Sequence, residues 1–148
     1  LYAYPKVSRL LGELSPDPEK VAQALARRDA AQLIPTGAVA ANLLGLSEQV
    51  PNRVIYLTSG PARSAKVGKL AVTLKPTVAK NMATAGRASG VVIQALRFLG
   101  KDNVGDVVIE TLRERLNAKD RAQLLKDARY APAWMEPIFR KIAEGARS

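Results

Sequence analysis

The 148-residue chain contains no cysteine and no histidine. Without cysteine there is no disulfide framework and no thiolate metal site, which fits a reducing compartment. Without histidine, Ser-His-Asp and Cys-His nucleophile activation and the usual zinc ligand sets drop out. Neither GxxxxGK[ST] nor GxGxxG occurs, so both glycine-rich phosphate cradles are missing. Gly86-Arg87-Ala88-Ser89-Gly90 is bounded by glycines but runs straight into a regular amphipathic pattern. No apolar run approaches the length of a membrane span, and no signal peptide is visible at the start. A Ser-Lys or carboxylate pair stays open as a catalytic device. The acids, however, stand scattered among lysines and arginines at helix starts and surfaces. The expectation is a cytoplasmic protein that is not an enzyme and uses no metal or cofactor.

What is abundant is positive charge. Lysine and arginine number 23 against 13 aspartates and glutamates, a formal net charge of +10. A field of that sign concentrates polyanions and speeds their encounter. Nucleic acid is the leading partner class, an acidic protein surface the second and an anionic membrane the third, since no basic interfacial helix is evident. Nearly half the residues are apolar (47%), which argues for a packed core over wholesale disorder.

Ile34 to Gly60, IPTGAVAANLLGLSEQVPNRVIYLTSG, organises the rest. It reads as a short strand, a small-residue helix capped by Thr36, a loop after Gly45, and a second strand over Arg53 to Thr58. Val39 and Leu43 fall on one side of the helix, and Ala38, Ala40 and Ala41 suit close approach to a sheet. Before it, Asp17-Pro18-Glu19 opens a helix to about Arg28 with Val21, Ala24 and Leu25 inward. After it, Ala62–Val67 and Leu70–Leu74 flank Gly68-Lys69, a two-residue hairpin turn. Leu70, Val72 and Leu74 would share one face with Ala65 and Val67. Lys66, Thr73 and Lys75 would point the other way, with Ser64 beside Thr73 and Lys69 at the tip.

The remainder is helical. Ala88, Val91, Val92, Ala95, Leu96 and Leu99 keep helical spacing up to Gly100, with Arg87, Gln94, Arg97 and Lys101 as a polar stripe. Val104, Val107, Val108, Leu112 and Leu116 mark another helix. Asn117 caps the next, with Ala122 and Leu125 inward. Pro132 opens the last, carrying Trp134, Ile138 and Ile142, unless Pro137 moves its start to about Glu136. Asp127 near Arg129 reads as surface pairing, and Tyr130 with Trp134 as packing anchors ahead of an aromatic platform. The fold expected is α+β: a small, mostly antiparallel sheet with packed helices, then a C-terminal helical bundle. The sheet part would span residues 13–80 and the helical part 81–148 of a single domain.

PTGAVAANLLGL followed by VIYLTSGP resembles the C-terminal domain of AbiEi-type antitoxins, the repressor-antitoxins of bacterial toxin-antitoxin operons. Lys80 to Gly86 and Asp127 to Met135 also resemble segments of that family, and LYAYPK at the start resembles the last wing strand of its winged helix-turn-helix. The resemblance implies that residues 1–12 are wing remnant and linker, with a DNA-reading domain before Leu1. It implies a non-enzymatic antitoxin and transcriptional autoregulator whose partners are its own operator DNA and a nucleotidyltransferase-like toxin, with self-association left open. The alternative is a protein-interaction module that binds an acidic toxin surface without nucleic acid. The cations singled out for phosphate contact are Lys6, Arg9, Arg63, Lys66, Lys69, Lys75, Lys80, Arg87, Arg97 and Lys101.

Overall fold

Asp17 begins the first helix as its sequence directs. In the computed structural model, which describes residues 17–144, its carboxylate accepts the Glu19 N–H at 3.0 Å, and Pro18 sits in the first turn of α1 (Pro18–Arg27). The inward line of α1 is Ala22 and Ala26, flanked by half-buried Val21 and Leu25, while Ala24 is exposed. The expected face was thus rotated by part of a turn. Two alanines at the point of contact let the helix lie close to the sheet, and the larger side chains wedge in on either side.

The helix ends in an unusual residue. Ala31 N–H bonds to the Ala26 carbonyl and Ala30 N–H to that of Arg27, the paired bonds of a Schellman cap. The left-handed position is Ala30, at φ +51. The later helix α2 (Gly37–Leu43) closes with the same pair, Leu46 to Ala41 and Gly45 to Asn42, and there the left-handed residue is Gly45.

Four strands form one sheet in the order β1-β2-β4-β3: β1 (Leu33–Pro35), β2 (Arg53–Thr58), β3 (Arg63–Val67) and β4 (Leu70–Pro76). The outer pairs are antiparallel and the central pair, β2 with β4, is parallel. The β3–β4 hairpin swings past β2 so that its second strand docks beside it. Val67 pairs with Leu70 across Gly68-Lys69, and Gly68 takes φ +62 as the tight turn requires. Leu70, Val72 and Leu74 are buried with Val54 and Tyr56 under α1.

α2 finds a partner other than the expected sheet. Ala40, Ala41 and Leu44 pack with Val92, Ile93, Ala95 and Leu96 of α4 (Ala88–Leu99), the heart of a second core. Leu43, expected inward, is exposed, and half-buried Val39 turns to the sheet core. Thr36 does not cap the helix either. Its hydroxyl donates to the Ile55 carbonyl at 2.6 Å, prolonging the β1–β2 ladder. The helical part therefore draws in α2 from the sheet-containing half of the sequence.

α4 is buried on more than one side, because Ser89, Gly90 and Ile93 are covered as well as the expected Val92, Ala95 and Leu96. The short α3 (Ala79–Met82) leads to buried Thr84, which lies against α4 at Gly90. Around α4 pack α5 (Asp106–Arg115), α6 (Ala118–Asp127) and α7 (Glu136–Ala143). Asn117 accepts the Asp120 N–H at 2.7 Å, as the cap motif requires. The last α-helix starts at Glu136 with Pro137 in its first turn. Two expected faces shift: Ile109 and Leu124 are buried, whereas Val107 (80% exposed) and Leu125 are not. In these helices several apolar residues adjoin, so their spacing alone admits two faces.

Two substitutions of opposite sign test this packing. A Cβ on Gly90 would stand 2.9 Å from the Thr84 carbonyl oxygen, so Gly90→Ala should destabilise by about 1–3 kcal/mol. Ala30→Gly relieves a left-handed alanine and should stabilise by about 0.5–1 kcal/mol. Urea unfolding of each variant measures both.

Candidate nucleic-acid interface

Alternation along the strands gives the sheet two unlike faces. Toward α1 point Val54, Tyr56, Thr58, Leu70, Val72 and Leu74, all buried. Toward the other side the registers place Arg53, Ala71 and Lys66 in one row, and Ile55, Thr73 and Ser64 in the next. Leu57 and Lys75 follow. Arg53, Lys66, Thr73, Lys75 and Ser64 are exposed, and Ile55 stays 44% exposed at the centre. At the β1 end the same face is closed, since Ile34 is buried where α4 meets β1.

The cations on this face stand apart. Arg53 and Lys66 flank Ala71 on strands separated by two sheet spacings, about 10 Å, and Lys75 lies four residues along β4, about 13 Å away. Among the described residues none of the three forms an ion pair. No carboxylate belongs to β2, β3 or β4. Positive charges spread over an area with hydroxyls and an aliphatic centre can meet a phosphate backbone at several points. They do not make a pocket for a small molecule.

The structure thus brings Lys66 and Lys75 together with Ser64 and Thr73, puts Lys69 at the hairpin tip, and places Lys80 on α3 just beyond the end of β4. Arg97 and Lys101 are exposed on other elements, the end of α4 and the 3₁₀ turn after it. Lys6, Arg9 and the proposed wing remnant lie outside the described residues.

Arg63 and Arg87 leave the set of available cations, because each grips a carboxylate. Arg63 lies on the α1 side of the sheet, where its Nε donates to Asp29 at 2.7 Å and its Nη2 at 3.3 Å. This hydrogen bonding holds the Asp29 carboxyl below the ordinary carboxylate range and raises the guanidinium further. Arg87 precedes α4 and donates to both oxygens of Asp127, at 3.0 and 2.8 Å. Asp127, expected at the surface near Arg129, is 2% exposed and joins α6 to the start of α4. Arg129 instead lies over the Tyr130 ring, 4.9 Å from its centroid, and Trp134 packs against the helical core.

Arg53 was missed by sequence reasoning, since its place in one row with Lys66, across Ala71, depends on the tertiary pairing of β2 with β4. A signal did exist. The stretch between Glu48 and Asp102 holds nine lysines and arginines and no carboxylate. Arg63 and Arg87 therefore find acids only outside it, and Lys66 and Lys75 have none nearby in sequence.

Elsewhere, Tyr56 is buried and donates to Glu19 at 3.1 Å, and Gln23 donates to the same carboxylate at 2.7 Å. Burial first, and then the Glu19 charge, raise the phenol well above its usual range. A shallow depression beside them is lined by Gln23, Arg27, Ala30 and Leu33. Among the described residues no group of histidine, cysteine, aspartate or glutamate could hold a metal ion, and no helix is long and apolar enough to cross a membrane.

The Asp29–Arg63 pair has a pH signature. Asp29 has a lowered folded pKa, so its contribution to stability is present above about pH 4, the ordinary aspartate value. It fades as pH falls through the folded value. The gap in unfolding midpoint between the wild type and Asp29→Asn should be open at pH 7 and close below pH 4, as thermal melts across pH will read.

The chain matches no curated protein and no solved structure. The family described as a family of unknown function (DUF6088) matches residues 1–124, and the chain belongs to that family.

Proposed function

We propose that this chain is a non-enzymatic transcriptional regulator of the antitoxin kind, and that the open sheet face is its docking surface for the phosphate backbone of operator DNA. The observation that carries the reading is the row structure of that face: Arg53, Lys66 and Lys75 displayed together, with no carboxylate in the three strands that present them. Lys69 and Lys80 extend the same field from the hairpin tip and the strand end.

Contacts of this kind position a protein on DNA without reading its sequence. The face offers no amide, acid or aromatic ring to a base; Ile55, Thr73 and Ser64 occupy its middle. Reading of an operator would belong to a separate domain, and the sheet would add affinity. Resemblance to AbiEi-type antitoxins supports the regulator role and suggests a nucleotidyltransferase-like toxin as the protein the chain counteracts. Growth rescue on co-expression with the neighbouring toxin would test that part.

For the DNA part, affinity for a duplex is measured across a salt series. Each phosphate neutralised adds about 0.9 to the log–log slope, so Arg53→Ala, Lys66→Ala and Lys75→Ala together should flatten it by up to about 2.7. Affinity should fall alike for unrelated sequences. Absence of binding at low salt, or an unchanged slope in the triple variant, overturns the reading.

A further inference from the structure

The two edges of the sheet are treated differently. β1 is three residues long and ends on Pro35, and Thr36 turns both its N–H and its hydroxyl to the Ile55 carbonyl, while Ile34 is buried. That edge is short and lacks an N–H at Pro35. β3, on the opposite edge, runs five residues in unbroken register with β4 and contains no proline and no bulge. Among the described residues no strand lies beyond it.

Hairpin geometry fixes which backbone groups β3 offers. Across a two-residue turn, Val67 and Leu70 form a hydrogen-bonded pair, so Ala65 with Val72 and Arg63 with Leu74 do likewise. Ser64 and Lys66 therefore direct their N–H and C=O groups away from the sheet. The side chains at this edge differ by face. Lys66 and Ser64 stand on the open face with Arg53 and Lys75 beyond them. On the α1 side Ala65 is half-buried and Val67 is 42% exposed, leaving apolar surface for a neighbour to cover.

We infer that the outer edge of β3 receives an extended segment of a partner protein in which acidic and aliphatic residues alternate. Backbone pairing with Ser64 and Lys66 supplies the ladder, as in strand addition generally. Its acidic side chains lie beside Lys66 on the open face, and its aliphatic ones cover Val67 and Ala65. A second copy of this chain is the poorer occupant. Antiparallel pairing of two β3 strands through Ser64 and Lys66 would set the two Lys66 side chains opposite or diagonal to each other on one face, in chains each carrying a formal charge of +10. The inference stands apart from the nucleic-acid reading, since it uses the strand edge and needs no phosphate.

The test uses the full chain and a fluorescein-labelled peptide, Gly-Glu-Val-Glu-Val-Glu-Val-Gly, with anisotropy read at low ionic strength. Wild type should bind it. Ser64→Pro removes one outward N–H at an edge that tolerates proline, and should weaken binding at least tenfold. Lys66→Glu should do the same while gaining affinity for the matching lysine–valine peptide. Circular dichroism and the unfolding midpoint check that each variant is folded. Should Ser64→Pro fail to fold, wild type with a peptide N-methylated at alternate residues replaces it, and the same loss is expected. No binding of the acidic peptide by wild type overturns the inference. Equal binding of a peptide with its glutamates and valines in separate blocks overturns it too, as does self-association of the chain abolished by Ser64→Pro.

Discussion

A sheet has two faces, and this chain lays one helix across it. α1 covers the side carrying Val54, Tyr56, Leu70, Val72 and Leu74, with Ala22 and Ala26 at the contact. The other helices gather around α4 and reach the sheet at its β1 end, where Ile34 is buried. Nothing described covers the area around Ile55 and Thr73. The amino acids agree with that division. Along β2 and β4 buried aliphatic or aromatic residues alternate with arginine, lysine and threonine, the pattern of strands wet on one side.

The uneven spread of charge gives the open face a single sign. Between Glu48 and Asp102 every charged residue is a cation. Two of them, Arg63 and Arg87, are drawn to aspartates 34 and 40 residues away and serve as ties, one from β3 to the turn after α1 and one from the start of α4 to the end of α6. Acids on the strands themselves could have neutralised the rest. Their absence leaves Arg53, Lys66 and Lys75 as a field of one sign over a sheet, which attracts polyanions before any contact is made. That same sign underlies our inference of an acidic segment at the open edge of β3.

Much of the fold was legible because the signals were local. Asp17-Pro18-Glu19, the Gly68-Lys69 turn, Asn117 and Pro137 each fixed an element end through groups within a few residues. The α+β composition followed from them. What escaped depended on distant partners. The alanines of α2 promised close packing but could not say that α4, rather than the sheet, would receive them. Parallel pairing of β2 with β4 is a matter of how the hairpin folds back. Val107 and Leu125 adjoin other apolar residues, so a shift of one or two positions exchanged inside for outside. Ala30 carries no glycine signal at a position where glycine is the norm.

The candidate site divides in the same way. Alternation in the hairpin placed Lys66 and Lys75 with Ser64 and Thr73 on one face, and the registers agree. Arg53 joins them only through β2–β4 pairing, and the buried Asp127 that takes Arg87 gave no local sign of its burial.

Backbone NMR tests the open sheet face as the proposed working surface, residue by residue. With a short duplex titrated at low salt, the amide signals of Arg53, Ile55, Ser64, Lys66, Thr73 and Lys75 should shift together, and those of α1 should stay in place. Shifts confined to α1 or to the helices around α4, or none at all, would contradict it.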